Sequence, residues 1–337
     1  MGIQIGSVKV RNRVFLAPMS GVTDEPFRKA AHDTGAGLVV SEMVASDALV
    51  QERKDMLRRA QGQKRLYPFA MQLAGREAHW MTEGAKVAQD MGADIIDINM
   101  GCPARQVTGG LSGSALMRNL DHAITLVDAT VAASKVPVTL KMRLGWDESC
   151  LNAAELARRA EASGVAMVTV HGRTRNQFYK GKANWQAIRE VREAIKIPLV
   201  ANGDCNTAED VKAMMSASGA DAVMVGRGAY GRPWLPGQLA QALEPGTGIA
   251  PLSLSRELEL LLEQQQDTLQ LYGDALGNKT FRKHLGWTIE RLAERGLITA
   301  EEAAGHRARL LPMLDNKAIA KALASIYAQL PEERLVA

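Results

Sequence analysis

The sequence predicts an α/β fold, a (β/α)8 TIM barrel followed by a small C-terminal helical bundle. Short β-branched runs alternate with longer helical patterns eight times before about residue 230, an alternation typical of a parallel sheet covered by helices. Polar residues stand at the carboxyl ends of the predicted strands, which converge on one mouth in such a barrel. The 337 residues suffice for one domain of roughly 250 residues and an appendage.

The eight strands have clear boundaries in the sequence. We expect them at Val14–Pro18, Leu38–Glu42, Tyr67–Gln72, Asp94–Asn99, Val138–Arg143, Met167–His171, Leu199–Asn202 and Ala222–Val225. Glycines that tolerate the left-handed conformation after a helix precede four of them, at Gly35, Gly92, Gly164 and Gly219. Helix N-caps are predicted at Asp24, Asn152 and Thr207.

The C-terminal part has helical patterns only. Apolar residues recur at spacings of three and four over residues 253–273 and 279–293, and shorter helices are predicted over residues 299–310 and 316–328. A linker is predicted at Glu244–Gly248 and Pro251. We therefore expect a barrel domain at residues 1–245 and a helical domain at residues 246–337.

The composition is that of a soluble protein, with 46% hydrophobic and 23% charged residues. No apolar run approaches the ~20 residues that span a bilayer, and the N-terminus lacks the pattern of an export signal. We expect a cytoplasmic protein with no membrane role and no evident obligate protein partner. Cys102, Cys150 and Cys205 form no CxxC pair, so we expect reduced thiols and no metal site. The net charge of +4 permits a polyanionic partner.

Cys102 has the most informative surroundings. The apolar strand that begins at Asp94 ends at Asn99, and Gly101 and Pro103 then prevent its continuation. This arrangement places the thiol in the loop beyond the end of the sheet, where it can contact a ligand. A free cysteine is more often a small buried hydrophobic residue, so the neighbouring strand ends decide between the two interpretations.

The strand ends together predict a polar site at the mouth. They carry Pro18-Met19-Ser20, Glu42, Gln72, Asn99, Lys141 with Arg143, His171, Asn202 with Asp204, and Gly226-Arg227. A single polar residue at such a position is commonly a cap or a turn former, but eight together indicate a binding site.

Individual strand ends suggest particular chemistry. Gly226-Arg-Gly228 after the eighth strand, with Asn202-Gly-Asp204 after the seventh, predicts a phosphate site, although a tight turn explains the first motif equally well. Lys141 could be a Schiff-base nucleophile, a fixed cation beside an electron-rich ring, or a member of a structural ion pair. The amide of Gln72 suits the edge of a flat heterocycle.

These motifs resemble those of the tRNA-dihydrouridine synthase family. Their order and spacing are similar to those of its bacterial DusB-like branch. The matching elements are Ala17-Pro-Met19, Met71-Gln72-Leu73, Asn99-Met-Gly-Cys-Pro103, Lys141-Met-Arg143, His171-Gly-Arg-Thr-Arg175 with Tyr179, Gly181 and Trp185, Asn202-Gly-Asp204, Gly226-Arg-Gly228 and Phe281-Arg-Lys-His284. The resemblance covers nearly the whole chain, and no motif position departs from the pattern.

The resemblance implies an FMN-dependent enzyme that reduces a uridine in tRNA to 5,6-dihydrouridine with NADPH or NADH. Cofactor-binding roles are implied for Pro18, Met19, Ser20, Gln72, Lys141, His171, Asn202, Gly203, Asp204, Gly226 and Arg227. Substrate-binding roles are implied for Asn99, Arg143, His171, Arg173, Arg175, Lys279, Arg282 and Lys283. The flavin would supply hydride to C6 and Cys102 a proton to C5, since an ordinary thiol pKa of ~8.5 leaves the thiol protonated at neutral pH.

Three other interpretations remain open from the sequence. Lys141 could serve a Schiff-base lyase of a phosphorylated metabolite. The barrel could be the scaffold of a non-catalytic RNA-binding protein. A flavin reductase of small molecules is the nearest alternative, but it would need neither the helical tail nor the basic loop at residues 173–182.

Overall fold

The computed structural model of the protein describes residues 2–62, 66–244 and 251–331. Its strands are β1 Gln4–Ile5, β2 Val8–Lys9, β3 Val14–Leu16, β4 Val39–Val40, β5 Val44–Ala45, β6 Phe69–Ala74, β7 Ile95–Met100, β8 Val138–Arg143, β9 Met167–His171, β10 Leu199–Asn202 and β11 Ala222–Val225. Its helices are α1 Glu25–Asp33, α2 Ser46–Val50, α3 Lys54–Ala60, α4 Ala78–Asp90, α5 Arg105–Thr108, α6 Leu120–Ala133, α7 Ala153–Ala162, α8 Arg189–Ala194, α9 Ala208–Ser218, α10 Leu235–Gln241, α11 Leu254–Tyr272, α12 Asp274–Glu294, α13 Ala300–Leu310 and α14 Asn316–Tyr327. Most of the predicted linker Glu244–Gly248 lies outside the described residues.

Strands β3 to β11 close into a parallel barrel with eight strand positions, which confirms the predicted fold. The short strands β4 and β5 share the second position, and both pair with β6. The barrel closes where β3 pairs with β11 and β4. The last four strands have their predicted boundaries, whereas β6 begins after Pro68 because proline cannot donate to the ladder. The predicted strand Leu38–Glu42 is wrong at its end, since only Val39–Val40 is extended there.

An antiparallel hairpin of β1 and β2, which the sequence patterns did not predict, closes the end of the barrel opposite the mouth. Its buried side chains Ile5 and Val8 share a hydrophobic cluster with Phe15, Met167 and Val200 from the starts of the strands. The floor of the barrel is therefore apolar, and polar side chains occupy the levels above it.

Side chains along β7 show how the barrel separates apolar from polar residues. Ile96, Ile98 and Met100 lie in the cluster between strands and helices, whereas Asn99 lines the cavity at the mouth. Because successive residues of a strand point to opposite faces, Asp97 lies on the same inward face as Asn99. Alternation thus places each polar residue of this strand inside the barrel.

Two of the three predicted N-caps are confirmed. The side chain of Asp24 accepts a hydrogen bond from the amide of Phe27 at 3.2 Å, and Thr207 forms a capping box with Asp210. The prediction for Asn152 is wrong in its chemistry: this residue precedes α7, but its side-chain amide donates to the carbonyl of Met117 at 2.7 Å instead of capping the helix.

The four C-terminal helices surround a second hydrophobic cluster that includes Leu261, Phe281, Leu285 and Leu323. Helix α12 begins five residues before the predicted start at residue 279, and it packs against the barrel at Gly231. A Cβ atom on Gly231, whose φ is +69°, would lie 2.6 Å from the backbone of Trp287, so only glycine allows this approach. No helix within the described ranges has the length and apolar character needed to cross a membrane.

Candidate active site at the barrel mouth

A cavity of about 1110 Å³ opens at the carboxyl ends of the strands. Its volume is slightly above the usual ~300–1,000 Å³ of small-molecule sites, so the cavity has room for two ring systems. It is lined by all the mouth residues predicted to bind cofactor or uracil: Pro18, Met19, Ser20, Gln72, Asn99, Cys102, Lys141, Arg143, His171, Asn202, Gly203, Asp204, Gly226 and Arg227.

The remaining predicted substrate-binding residues lie outside this cavity. Arg175 lies in the loop after β9 and stacks on Trp146 and Phe178. Its guanidinium is 4.6 and 5.0 Å from the centroids of these two rings. Arg282 and Lys283 line a separate cleft of about 580 Å³ on the C-terminal helices, and Lys279 is exposed nearby.

The predicted contact of Arg173 with substrate is not supported by its position, because the residue is buried and, unlike Arg143, does not line the cavity. Its guanidinium pairs with Asp204 at 2.5 Å and donates to the carbonyl of Gly181 at 2.6 Å. A buried cation must be paired, so Arg173 acts inside the protein, where it holds the loop after β9 against the loop after β10.

Hydrogen bonds to its backbone amide and to its backbone carbonyl hold Cys102 at the cavity. Its amide donates to the side-chain oxygen of Asn99 at 3.0 Å, and its carbonyl accepts from the amide and hydroxyl of Ser114 at 3.0 and 2.8 Å. Burial raises the pKa of the Cys102 thiol, although Arg143 and Lys141 act in the opposite direction. The thiol is therefore protonated at neutral pH and can donate its proton. All three cysteines are free, as expected.

Lys141 provides a cation at the cavity. Burial lowers the pKa of its ammonium group to about 8, and Asp97 partly opposes that effect. The ammonium group has three N–H donors, and among the described residues it contacts one acceptor, the side-chain oxygen of Asn202 at 3.1 Å. Its remaining donors can therefore bind an electron-rich ligand in the cavity.

His171 is a neutral imidazole. Burial, followed by the nearby charges of Arg143 and Lys141, lowers its pKa well below the ordinary value of 6.5. Arg173 approaches the Nε2 atom at 3.2 Å, and since a guanidinium can only donate, Nε2 must be the acceptor. The proton therefore lies on Nδ1, and His171 can donate it to a ligand without carrying a charge.

Arg143 ties together the two loops that border the cavity. Its Nε donates to the carbonyl of Gly101 at 2.8 Å, and its Nη1 donates to the carbonyls of Thr174 and Phe178 at 2.8 Å each. These contacts connect the loop that carries Cys102 to the loop after β9.

The predicted phosphate end of the cavity lies between the loops after β10 and β11. Gly203 has φ +120°, and a Cβ atom there would lie 2.8 Å from the ring of His171. Asp204 accepts from Arg173, from the amide of Ala183 at 2.8 Å and from Arg227 at 3.3 Å. Burial raises the pKa of Asp204, but the hydrogen bonds from Arg173 and Ala183 and the charges of Arg173 and Arg227 together outweigh it, and the net shift is downward.

Sequence reasoning missed several residues of this site. Asp97 lies buried beneath Gln72 and Asn99, and the period of two along β7 could have placed it there. Tyr230, Arg232 and Arg291 also line the cavity. Arg291 comes from α12, about 60 residues after the barrel, and no local pattern in the sequence indicates that it returns to the mouth.

Comparisons with known proteins agree with this geometry. The family model described as Dihydrouridine synthase (Dus) matches residues 15–323. A probable tRNA-dihydrouridine synthase of Rhizobium leguminosarum bv. phaseoli is 54% identical over 321 residues, which cover 93% of this chain and 98% of the relative. The tRNA-dihydrouridine synthase B of Xanthomonas axonopodis pv. citri is 43% identical over 285 residues, covering 85% of this chain and 86% of the relative.

Solved structures share the barrel fold. Morphinone reductase superimposes with a TM-score of 0.51 at 17% identity and covers 71% of this chain and 88% of its own. The similarity at that level concerns the fold alone. The match to the family model and the identities to its bacterial relatives show that the chain belongs to the dihydrouridine synthase family.

Proposed function

We propose that this protein uses FMN and NADPH or NADH to reduce a uridine in tRNA to 5,6-dihydrouridine. The observation that carries this proposal is a protonated thiol, Cys102, held beside Lys141 and His171 in one cavity. Membership in the dihydrouridine synthase family supports the reaction and the substrate. Because transfer RNA is modified in the cytoplasm of bacteria, we infer a cytoplasmic location.

The residues of the cavity fit an FMN molecule. The unused donors of Lys141 and the amide of Gln72 suit the polar edge of its ring, and backbone groups of Pro18, Met19 and Ser20 suit its face. The loops at Asn202–Asp204 and Gly226–Arg227 offer backbone amides and a guanidinium to the ribityl chain and phosphate. We assign cofactor binding to these residues.

When bound, FMN supplies a hydride to C6 of the uracil. Cys102 donates the proton of its Sγ to C5, so the thiol is a general acid. Asn99, Arg143 and His171 hold the uracil, and the neutral His171 can donate from Nδ1 to a carbonyl oxygen without bringing a charge into the site. Partial burial of Cys102 raises its pKa and keeps the proton on the thiol.

A uridine in folded RNA must leave its stack to reach this cavity, at a cost of a few kcal/mol. Contacts around the mouth have to offset this cost. We assign them to Arg175 with its aromatic neighbours and to Lys279, Arg282 and Lys283 on α12. Residues 1–245 would then be the catalytic domain and residues 246–337 a helical tRNA-binding domain.

The family match does not favour the other interpretations. A lowered pKa would also suit a Schiff-base lysine, but the matching family model and the bacterial relatives are those of dihydrouridine synthases. A non-catalytic RNA-binding protein would not need a protonated thiol in a cavity of this size.

Replacement of Cys102 tests the proposed reaction. General acid catalysis contributes ~10²- to 10⁴-fold, so Cys102→Ala should slow tRNA reduction by that factor while flavin content and flavin reduction by NADPH stay unchanged. The measurement is dihydrouridine formation on an unmodified transcript. Cys150→Ser is the matched control. A wild-type rate for Cys102→Ala would show that another group supplies the proton.

The titration of Lys141 predicts how FMN binding depends on pH. Because burial lowers its pKa to about 8, the ammonium is lost as pH rises from 7 to 9, and the apparent Kd for FMN should rise over this range. Lys141→Arg should flatten the profile, since arginine keeps its proton, and Lys141→Met should bind weakly at every pH. A wild-type Kd that is constant from pH 6.5 to 9.5 would contradict this role.

The basic residues of α12 predict the salt dependence of tRNA binding. Each phosphate contact adds about 0.7–0.9 to the slope of log K against log salt concentration. The double variant Lys279→Gln, Arg282→Gln should therefore reduce the slope by about one to two. Lys212→Gln, exposed on α9, is the control and should leave it unchanged. An unchanged slope in the double variant would place the RNA elsewhere.

A further inference from the structure

Asp97 lies inside the barrel between the apolar floor and the mouth and is 4% exposed. Its two neighbours in strand register are Gln72 on β6 and Thr139 on β8. One carboxylate oxygen accepts from the amide nitrogen of Gln72 at 2.7 Å, and the other accepts from the hydroxyl of Thr139 at 2.6 Å. Both oxygens of Asp97 are therefore acceptors of buried hydrogen bonds.

The hydrogen bonds continue from Asp97 to the backbone of Cys102. The side-chain oxygen of Gln72 accepts from the amide nitrogen of Asn99 at 2.7 Å. The side-chain oxygen of Asn99 in turn accepts from the amides of Gly101 and Cys102 at 3.2 and 3.0 Å. This series of bonds connects a buried carboxylate to the loop that holds the proton donor.

The direction of this series is determined at both ends. Backbone N–H groups can only donate, so Asn99 must present its oxygen to them. A carboxylate can only accept, so Gln72 must present its nitrogen to Asp97. Rotation of either amide by 180° would leave buried donors facing donors and acceptors facing acceptors, which is unfavourable because each such group loses its hydrogen bond. One orientation of both amides is therefore strongly preferred.

We propose that Asp97 is a positioning residue, which orients the amides of Gln72 and Asn99 and thereby holds Cys102 at the mouth. The inference rests on the proposed function, because it assigns Asp97 a role in the step that uses Cys102. It adds to that function a residue that touches neither the cofactor nor the uracil.

Two substitutions separate the hydrogen bonds of Asp97 from its charge. Asp97→Asn can still accept from Gln72 and can donate to the hydroxyl of Thr139, so it preserves the direction of the series without the charge. Asp97→Ala removes the terminal acceptor and leaves the nitrogen of Gln72 without its partner. The readouts are the alkylation rate of Cys102, followed by peptide mapping in flavin-loaded protein, and the separate rates of flavin reduction and tRNA reduction.

We expect Asp97→Ala to change the alkylation rate of Cys102 and to slow tRNA reduction by about tenfold or more, the equivalent of one lost buried hydrogen bond. Flavin reduction by NADPH should change less, because it does not use Cys102. Asp97→Asn should restore both readouts to within about threefold of wild type. Wild-type behaviour of Asp97→Ala, or equal losses in both variants, would overturn the proposal. A wild-type protein that reduces no tRNA would contradict the proposed function instead, and the alkylation rates would still test Asp97.

Leu111 is a second unusual feature near Cys102. It has φ +56°, a left-handed conformation that is unfavourable for a non-glycine residue, and the residue is 63% exposed. It lies two residues before Gly113, at which a Cβ atom would be 2.9 Å from the carbonyl oxygen of Cys102. Since two residues span at most ~7 Å, Leu111 lies close to the mouth.

The surroundings of Leu111 suit a nucleic acid. Arg105 is exposed at the start of α5, the helix that precedes Leu111, and Arg175 donates to the hydroxyl of Thr108 at 3.3 Å. An exposed apolar side chain in a strained backbone gives the free protein no evident stabilisation. Strain of this kind is found mainly at functional sites, and apolar side chains serve as wedges between base steps in nucleic-acid complexes.

We infer that Leu111 enters the base stack of the tRNA and occupies the space that the extruded uridine leaves. This inference also rests on the proposed function, and it names the part of the protein that stabilises the extruded state. The apolar surface of the leucine would replace part of the stacking that the extruded base loses.

Leu111→Gly tests the inference, because glycine removes the side chain and also relieves the strain at φ +56°. We expect the melting temperature to stay equal or to rise, while tRNA reduction falls by about tenfold or more, the equivalent of ~1.4 kcal/mol of lost stacking. The fluorescence of a 2-aminopurine base placed next to the uridine that the wild type reduces should increase on binding to the wild type, and much less on binding to Leu111→Gly.

Leu314→Ala, at a residue 77% exposed on the C-terminal part, is the matched control. A variant that keeps the wild-type rate and fluorescence change, or that loses activity together with stability, would overturn the inference. If the wild type reduces no uridine, the proposed function fails instead.

Discussion

The site depends on one constraint, which is that successive side chains of a strand in a closed parallel barrel point alternately to the helices and to the interior. On β7 this alternation directs Ile96, Ile98 and Met100 outward into the main hydrophobic cluster. It directs Asp97 and Asn99 inward. The same period on β8 brings Thr139, Lys141 and Arg143 to the interior, so that functional residues from different strands meet although they are distant in sequence.

Burial then shifts the pKa of three groups in the cavity. It raises the pKa of the Cys102 thiol, lowers that of Lys141 to about 8 and lowers that of His171 well below 6.5. The thiol keeps its proton and the imidazole is neutral. These states suit a site where a proton is transferred to carbon beside a bound ring, because an acid must hold its proton until the substrate arrives.

The C-terminal helices pack around their own hydrophobic cluster and also contact the mouth of the barrel. Tyr230 and Trp287 stack with their ring centroids 3.9 Å apart, and Arg291 donates to the carbonyl of Tyr230 at 3.1 Å. Helix α12 therefore connects the cavity to the cleft that Arg282 and Lys283 line. An RNA bound at that cleft would lie next to the mouth, as the proposed extrusion of a uridine requires.

The sequence by itself determined the barrel, the boundaries of its last four strands and fourteen of the cavity residues, because strand ends and glycine turns are local patterns and the ends of parallel strands meet at one face. It did not determine the N-terminal hairpin that closes the barrel floor, the burial of Arg173 against Asp204, or the return of Arg291 to the mouth. The sequence also did not indicate the hydrogen-bond series from Asp97 to Cys102. Each of these depends on contacts between residues far apart in the chain, and only the tertiary structure decides which distant donors and acceptors are buried together.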